Sequence, residues 1–330
     1  LKAQERKFTE LNNLFTFEPG EPGLCSKVVN SNKILGGITM KRKWWIPYAF
    51  LSIPLVFYVV WVIIPIFETF FYSFTNWDSI SPKFDFVGFE NYKELFQDHY
   101  FLLSLKNNVY WMIGFVLISI PLGLGFAMLM DQKYLGHKIY KSLVYLPMTL
   151  SFVVIGQIWS RILEPRNGAL NMFLKTVGFG NLAKPWLSDP NIVTFSIITA
   201  ALWRQIAYAM ILFLAGLQGV SNEHMEAAYI DGANSLQRFW YVILPELKPA
   251  MVVALTVNII DSLRAFDIVF VMTRGGPFYS SSVMANYMYV QAFNNYRMGY
   301  GSAIAVVQFM ITLTFIISYL INVLKKEERE

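Results

Sequence analysis

The residues able to do chemistry in this 330-residue chain fall into three sets. The first lies inside apolar runs. Arg204, Gln205 and Tyr208 stand at i, i+1 and i+4 of one run, on one side of a helix. Asn258, Asp261, Ser262 and Ala265 follow i, i+3, i+4 and i+7 of another, a polar stripe on an apolar rod. Ionisable side chains at the middle of a membrane span cost roughly 2.5–3.5 kcal/mol each on insertion scales, so they face a cavity or a partner. Such polar and aromatic groups suit sugar hydroxyls and the stacking of sugar faces. A structural reading stands beside this one: Arg204 pairs with Asp261 as a brace between helices, and Arg264 pairs with Asp261 or Asp267.

The second set is Ser221-Asn222-Glu223-His224-Met225-Glu226-Ala227-Ala228-Tyr229-Ile230-Asp231-Gly232-Ala233, continuing to Leu244-Pro245. Ser221 can cap a helix whose first turns favour Glu223 and Glu226. Met225, Ala228, Tyr229 and Ile230 give that helix an apolar side, and Gly232 suits a left-handed stop. Leu236, Phe239, Trp240 and Val242 resume an amphipathic pattern before Pro245 and Pro249. The expectation over 220–248 is a short helix, a tight turn and a second helix along the membrane surface.

The third set excludes more than it supports. His99, His137 and His224 are far apart and have no i,i+4 partner, so no metal site is expected. The lone Cys25 excludes an intrachain disulfide. No Gly-x4-Gly-Lys-Ser/Thr run and no Gly-x-Ser-x-Gly elbow occurs, which argues against nucleotide binding and serine hydrolysis by this chain. The basic residues form no broad stripe for nucleic acid. No catalytic residue and no cofactor is expected; the chain is not read as an enzyme.

The elements that position these sets must cross a bilayer. Hydrophobic residues make up 55% and charged residues 15% of the sequence, well below the charge of a soluble domain. A span needs roughly 20 apolar residues. Stretches at 45–72, 105–130, 142–163, 191–217, 249–272 and 300–324 qualify, the third interrupted by Gln157 and Arg161. The pattern is all-α with six spans and no barrel alternation. Pro54, Pro65, Pro121 and Pro147 are expected to kink them. Lys41, Arg42 and Lys43, then Lys133, Lys138 and Lys141, then Lys325 and Lys326 fall on one side, which places both ends in the cytoplasm. Trp77 and Trp186 read as anchors on the opposite side. The organisation is a polar tail over 1–40, a first span with outer loop over 41–104, a five-span core over 105–325 and a short tail over 326–330. Met40-Lys41-Arg42-Lys43 before an apolar run reads as an ordinary start for a membrane protein, and residues 1–39 as a dispensable tail.

The second set also resembles a known family. Glu226-Ala227-Ala228, Gly232 six residues after Glu226, and Val242-Ile243-Leu244-Pro245 match the Glu-Ala-Ala loop of ABC importer permeases at every spacing, with Val242 in place of Ile. Gly88-Phe89-Glu90-Asn91-Tyr92, Trp186-Leu187-Ser188-Asp189-Pro190 and Gly275-Gly276-Pro277 are similar to the carbohydrate-uptake branch, most like the larger permease of maltose-type importers, over roughly 44–325. The resemblance implies a type I importer permease with a MetI-like core in a bacterial inner membrane. It also implies a second permease subunit, two cytoplasmic ATPase subunits that use the ATP, and an extracytoplasmic solute-binding protein. Glu226, Ala227, Ala228, Asp231, Gly232, Leu244 and Pro245 would then couple to the ATPase. The sugar-contacting positions would fall on Arg204, Gln205, Tyr208, Asn258 and Ser262, the first two departing from the family. Other solutes such as sn-glycerol 3-phosphate, and an ATP-independent carrier, are the alternatives.

Overall fold

The computed structural model describes residues 45–132 and 136–327. The polar tail, Cys25, Lys41–Lys43 and Lys133 lie outside these residues, as do the side chains of Lys138, Lys325 and Lys326. The chain divides into two units, one ending at Ile64 and one running from Pro65 to Glu330. Apart from one isolated pairing of Thr75 with Phe86, the regular structure among the described residues is helical.

Helix α1 runs over 45–72 as Trp45–Tyr58, a wide π-type turn Val59–Ile63, and Ile64–Tyr72. A short outer helix α2, Glu90–Gln97, precedes α3, His99–Asp131, which contains a second wide turn at Phe115–Ser119. Helices α4, His137–Thr149, and α5, Phe152–Ile162, meet at a 101° bend. After α6, Ala169–Thr176, comes α7, Val193–Leu217, the most buried of the continuous spans. Helix α8 is Asn222–Ile230 and α9 is Ser235–Glu246; α9 meets α10, Lys248–Leu263, at 71°. Helices α11, Asp267–Met272, α12 over 284–294 and α13, Met298–Glu327, complete the chain. Among the described residues four helices are long and apolar enough to cross a membrane, or up to six if each bent pair is one span.

Three prolines follow a widened helical turn. The wide turns at Val59–Ile63, Phe115–Ser119 and Phe239–Ile243 each end two residues before a proline: Pro65, Pro121 and Pro245. A proline ring displaces the carbonyl four residues back and offers no N–H. Widening the preceding turn lets the helix absorb that clash without breaking. Pro54 sits within Trp45–Tyr58. Only the third predicted span breaks close to its proline. Two residues past Pro147, α4 ends, Leu150 is extended, and Ser151 caps α5 by accepting from Val154 N–H. The stretch 142–163 is therefore two helices.

The predicted span at 249–272 is also two helices, and no glycine or proline marks the interruption at 264–266. Tertiary amides hold it. Asn108 Nδ2 donates to the carbonyls of Ser262 (3.2 Å) and Leu263 (3.3 Å), while its Oδ1 accepts from Met284 N–H at 2.8 Å. Gln308 Nε2 donates to Leu263 O at 3.0 Å. One residue earlier, Asn107 Nδ2 donates to the carbonyls of Ser280 and Ser282 at 2.8 and 2.7 Å. Thus α3 pins both the broken end of α10 and the irregular segment before α12.

Close packing does the rest. A Cβ on Gly123 would lie 2.6 Å from Ala209 Cβ and 3.0 Å from Met210 N, so α3 and α7 cross with backbones nearly touching. Trp111, Phe115, Ile155, Ile197, Ile268 and Val283 form one apolar core; Leu124, Met210, Phe213, Leu247 and Ala254 belong to another nearer the α9–α10 bend. Both predicted tryptophan anchors donate their indole N–H within the protein, Trp77 to the exposed Ser81 O at 3.1 Å and Trp186 to Asn171 Oδ1 at 2.8 Å.

Just outside the second span, Asp98 caps α3 by accepting from Tyr100 N–H, and it takes the hydroxyls of Tyr287 (2.5 Å) and Tyr300 (2.7 Å). Burial pushes its pKa up, but the two phenols and the backbone N–H groups of Tyr100 and Phe101 outweigh this and hold it below the ordinary value. A depressed carboxylate contributes stability that is complete above its unfolded pKa and is lost as pH falls through the folded one.

Replacing Asn108 by Leu should destabilise the protein by about 2–4 kcal/mol, since several buried backbone groups lose their partner at about 1–3 kcal/mol each. Thermal unfolding in detergent measures it, and an unchanged midpoint would contradict the pinning role. Acidification from ~pH 7 to ~pH 3 should lower the midpoint of the parent chain more than that of D98N, which lacks the carboxylate component at every pH.

Candidate functional site

The arm over 220–248 forms from local rules. Ser221 Oγ accepts from His224 N–H at 3.4 Å and starts α8. The helix stops in a Schellman turn. Ala233 N–H bonds Ala228 O at 3.0 Å, Gly232 N–H bonds Tyr229 O at 3.1 Å, and Gly232 takes φ +76°. Asn234 and Gln237 then close a reciprocal capping box on α9. Glu226, Ala227, Asp231, Gly232 and Pro245 are exposed, whereas Leu244 packs against the core containing Leu247 and Phe213. No residue of α8 is buried, and Tyr229 and Ile230 are 71% and 83% exposed. An open hollow on the arm is lined by Asn222, Met225, Glu226, Tyr229, Ile230 and Arg238, with the Arg238 guanidinium 5.5 Å from the Tyr229 ring centre.

The foot of the arm holds a contact that sequence reading missed. Glu246 Oε2 accepts from Ser221 N–H at 2.8 Å, and its Oε1 lies 2.6 Å from His224 Nδ1. Hydrogen bonds from His224 and then Ser221 hold the Glu246 pKa below its ordinary value. His224, although largely exposed, has a specific carboxylate partner 22 residues away.

The polar set within the spans is placed on facing helices. Gln205 of α7 is fully buried and donates from Nε2 to Asp261 Oδ2 of α10 at 3.3 Å. Asn258 and Ser262 are fully buried and turn into their own helix, onto Ala254 O and Ile259 O. Tyr208 is half-buried. Arg204 makes no ion pair with Asp261; its guanidinium sits 4.4 Å from the centre of the Phe152 ring on α5. The contact between these helices is instead the Gln205–Asp261 hydrogen bond. The alternative pairing of Arg264 with Asp261 or Asp267 is likewise absent within 4 Å among the described residues.

Next to this contact lies a cavity of about 230 Å³, lined by Trp111, Phe115, Phe152, Asp261, Arg264, Ala265, Phe266, Asp267 and Ile268. Of the six path residues predicted from sequence, only Asp261 lines it. The interruption of α10 turns Arg264 and Asp267 toward this space. That break had no sequence signal, although the adjacent Asn107-Asn108 pair inside an apolar run could have suggested a buried backbone to satisfy. Two carboxylates, one guanidinium and four aromatic side chains form a wall that can accept, donate and stack. Among the described residues no group of three or more His, Cys, Asp or Glu side chains gathers to hold a metal.

A family model described as "Binding-protein-dependent transport system inner membrane component" matches residues 119–330. The chain is 36% identical to a probable ABC transporter permease protein of Pyrococcus horikoshii, over 88% of this chain and 100% of the relative. It is 34% identical to the multiple sugar-binding transport system permease protein MsmF of Streptococcus mutans, over 82% of this chain and 92% of that one. In fold it is similar to a chain of a bacterial ABC transporter that imports the acidic polysaccharide alginate. The TM-score is 0.74 at 21% identity, over 85% of this chain and 95% of the other.

Replacing Gln205 by Leu should lower stability by about 1–3 kcal/mol, because Asp261 loses its donor in a partly buried site. Thermal unfolding in detergent reads this directly; a midpoint equal to the parent's would mean that water or another group serves Asp261 equally well.

Proposed function

Because the chain belongs to the family of binding-protein-dependent transport system inner membrane components, we propose that it is a permease subunit of an ATP-driven importer for a sugar, an oligosaccharide being the best fit. The observation that carries the proposal is the arm. An exposed helix–turn–helix is joined through the buried Leu247 directly to α10, whose far end forms the cavity wall at Asp261 and Arg264. Force applied to the arm by a motor subunit would reach that wall along one helix.

In this reading ATP is bound and hydrolysed by two cytoplasmic ATPase subunits, and this chain takes no cofactor. Glu226, Ala227, Ala228, Asp231 and Gly232 present the contact, while Leu244 and Pro245 set the angle of the second arm helix. A second permease subunit completes the path, and an extracytoplasmic binding protein delivers the solute. The protein sits in a bacterial cytoplasmic membrane with both termini and the arm on the cytoplasmic side. The name of the Streptococcus mutans relative supports sugar as cargo. So does the cavity wall, where Asp261 and Asp267 can accept from hydroxyls, Arg264 can donate, and Trp111, Phe115 and Phe152 can stack on sugar faces. Gln205, Asn258 and Ser262 act behind that wall, and Arg204 and Tyr208 beside it.

One observation favours a second cargo class. Among the described residues Arg204 and Arg264 have no carboxylate within 4 Å, which suits an anionic solute such as an acidic saccharide or sn-glycerol 3-phosphate. An ATP-independent carrier would have no use for an exposed arm of this form.

Gly232→Asp tests the arm. Open space surrounds Gly232, with nothing within 4 Å of an added Cβ, so the side chain fits and the cost is confined to a left-handed backbone. Uptake of the sugar carried by the cognate binding protein should fall at least about tenfold while membrane insertion is unchanged. Normal uptake would remove the arm from the mechanism.

A further inference from the structure

We propose that Glu246 is a positioning residue that joins the two feet of the cytoplasmic arm, so that movement of α8 and α9 is delivered to α7 and α10 as one body. The proposal rests on the reading of the arm as the ATPase contact. Glu246 is the last residue of α9, at the 71° bend into α10. Its carboxylate reaches back to the start of α8, taking Ser221 N–H at 2.8 Å and meeting His224 Nδ1 at 2.6 Å.

The chemistry is that of a capping box completed from a distance. In the local form the cap hydroxyl accepts from the N3 backbone N–H, and a Glu or Gln at N3 accepts from the cap residue's own N–H. Here Ser221 Oγ bonds the N–H of the N3 residue, but that residue is His224, and the missing acceptor arrives as Glu246. A carboxylate at this place also complements the positive end of α8. The bond that would ordinarily be internal to one helix thus links two junctions, α7–α8 and α9–α10.

Packing beneath the carboxylate fits the same role. Leu247 is fully buried, and a Cβ on Gly216 would lie 2.6 Å from Ala250 Cβ and 2.9 Å from Leu247 Cδ2. The end of α7 and the start of α10 are therefore in backbone-close contact directly below the clasp. Without Glu246, the start of α8 would keep only the short segment 218–221 below it, and the turn at Gly232 with the Arg238–Tyr229 contact at its other end, so its foot could swing without moving α10.

The test uses the whole transporter: this chain with its partner permease, ATPase subunits and binding protein in liposomes. Cys25 is replaced by Ser, and Ala265 in the cavity wall by Cys. The probe is the rate at which a water-soluble maleimide modifies that cysteine, with and without trapping by ATP and vanadate. In the parent chain trapping should change the rate at least about fivefold, and with E246A less than about twofold, although the ATPase still co-purifies and hydrolyses ATP. E246Q, which can accept from Ser221 N–H and donate to His224, should restore the response; failure of that rescue in an assembled complex overturns the capping role. Where E246A does not assemble, E246D, one methylene too short for both contacts, carries the same expectation. A parental response in an assembled E246A or E246D transporter overturns the proposal. If Gly232→Asp abolishes the response and E246A does not, the clasp alone is wrong. If the parent chain gives no response, or Gly232→Asp retains it, the reading of the arm falls instead.

Discussion

A backbone that leaves helical geometry inside a membrane must find hydrogen-bond partners within the protein, because lipid offers none. In this molecule that requirement is met by side-chain amides. Asn108 and Gln308 take the carbonyls freed where α10 stops at Leu263, and Asn107 takes those of Ser280 and Ser282. Because these carbonyls are satisfied, the chain can turn at 264–266 and start again as α11. Arg264 and Asp267 are then carried into the cavity wall instead of continuing a helix. The cavity exists because the break is tolerated.

The same rule explains where the chain stays helical. Pro65, Pro121 and Pro245 each remove a donor, and each is preceded by a wide turn that keeps the helix running. The long rods of α1 and α3 and the second arm helix therefore survive their prolines. The bends are placed elsewhere, at Leu150–Ser151 and at Leu247, where a cap or a buried leucine defines the angle.

Charge is handled sparingly along the path from the arm to the cavity. Between α7 and α10 the contact is an amide on a carboxylate, Gln205 on Asp261, and the neighbouring Arg204 rests on an aromatic face. A buried ion pair there would have to repay the desolvation of two charges. With the guanidinium against Phe152, α7 and α10 are joined there by the Gln205–Asp261 hydrogen bond. At the outer end the opposite choice is made, with Asp98 fixed by a cap and two phenols.

Much of this was readable from residue order. The apolar runs gave the helices, because span length is dictated by bilayer thickness. Ser221 and Gly232 determined the first half of the arm, because caps and left-handed turns depend on neighbours a few residues apart. The spacing from Glu226 to Pro245 carried the family for the same reason. Tertiary structure alone decided the breaks at 264–266, the partner of His224 and the composition of the cavity wall. Each depends on groups brought together from distant parts of the chain: Asn108 on Leu263, Glu246 on Ser221, Trp111 beside Asp267. Periodicity records which face of a helix is apolar, but not which distant amide will satisfy a carbonyl when that helix ends.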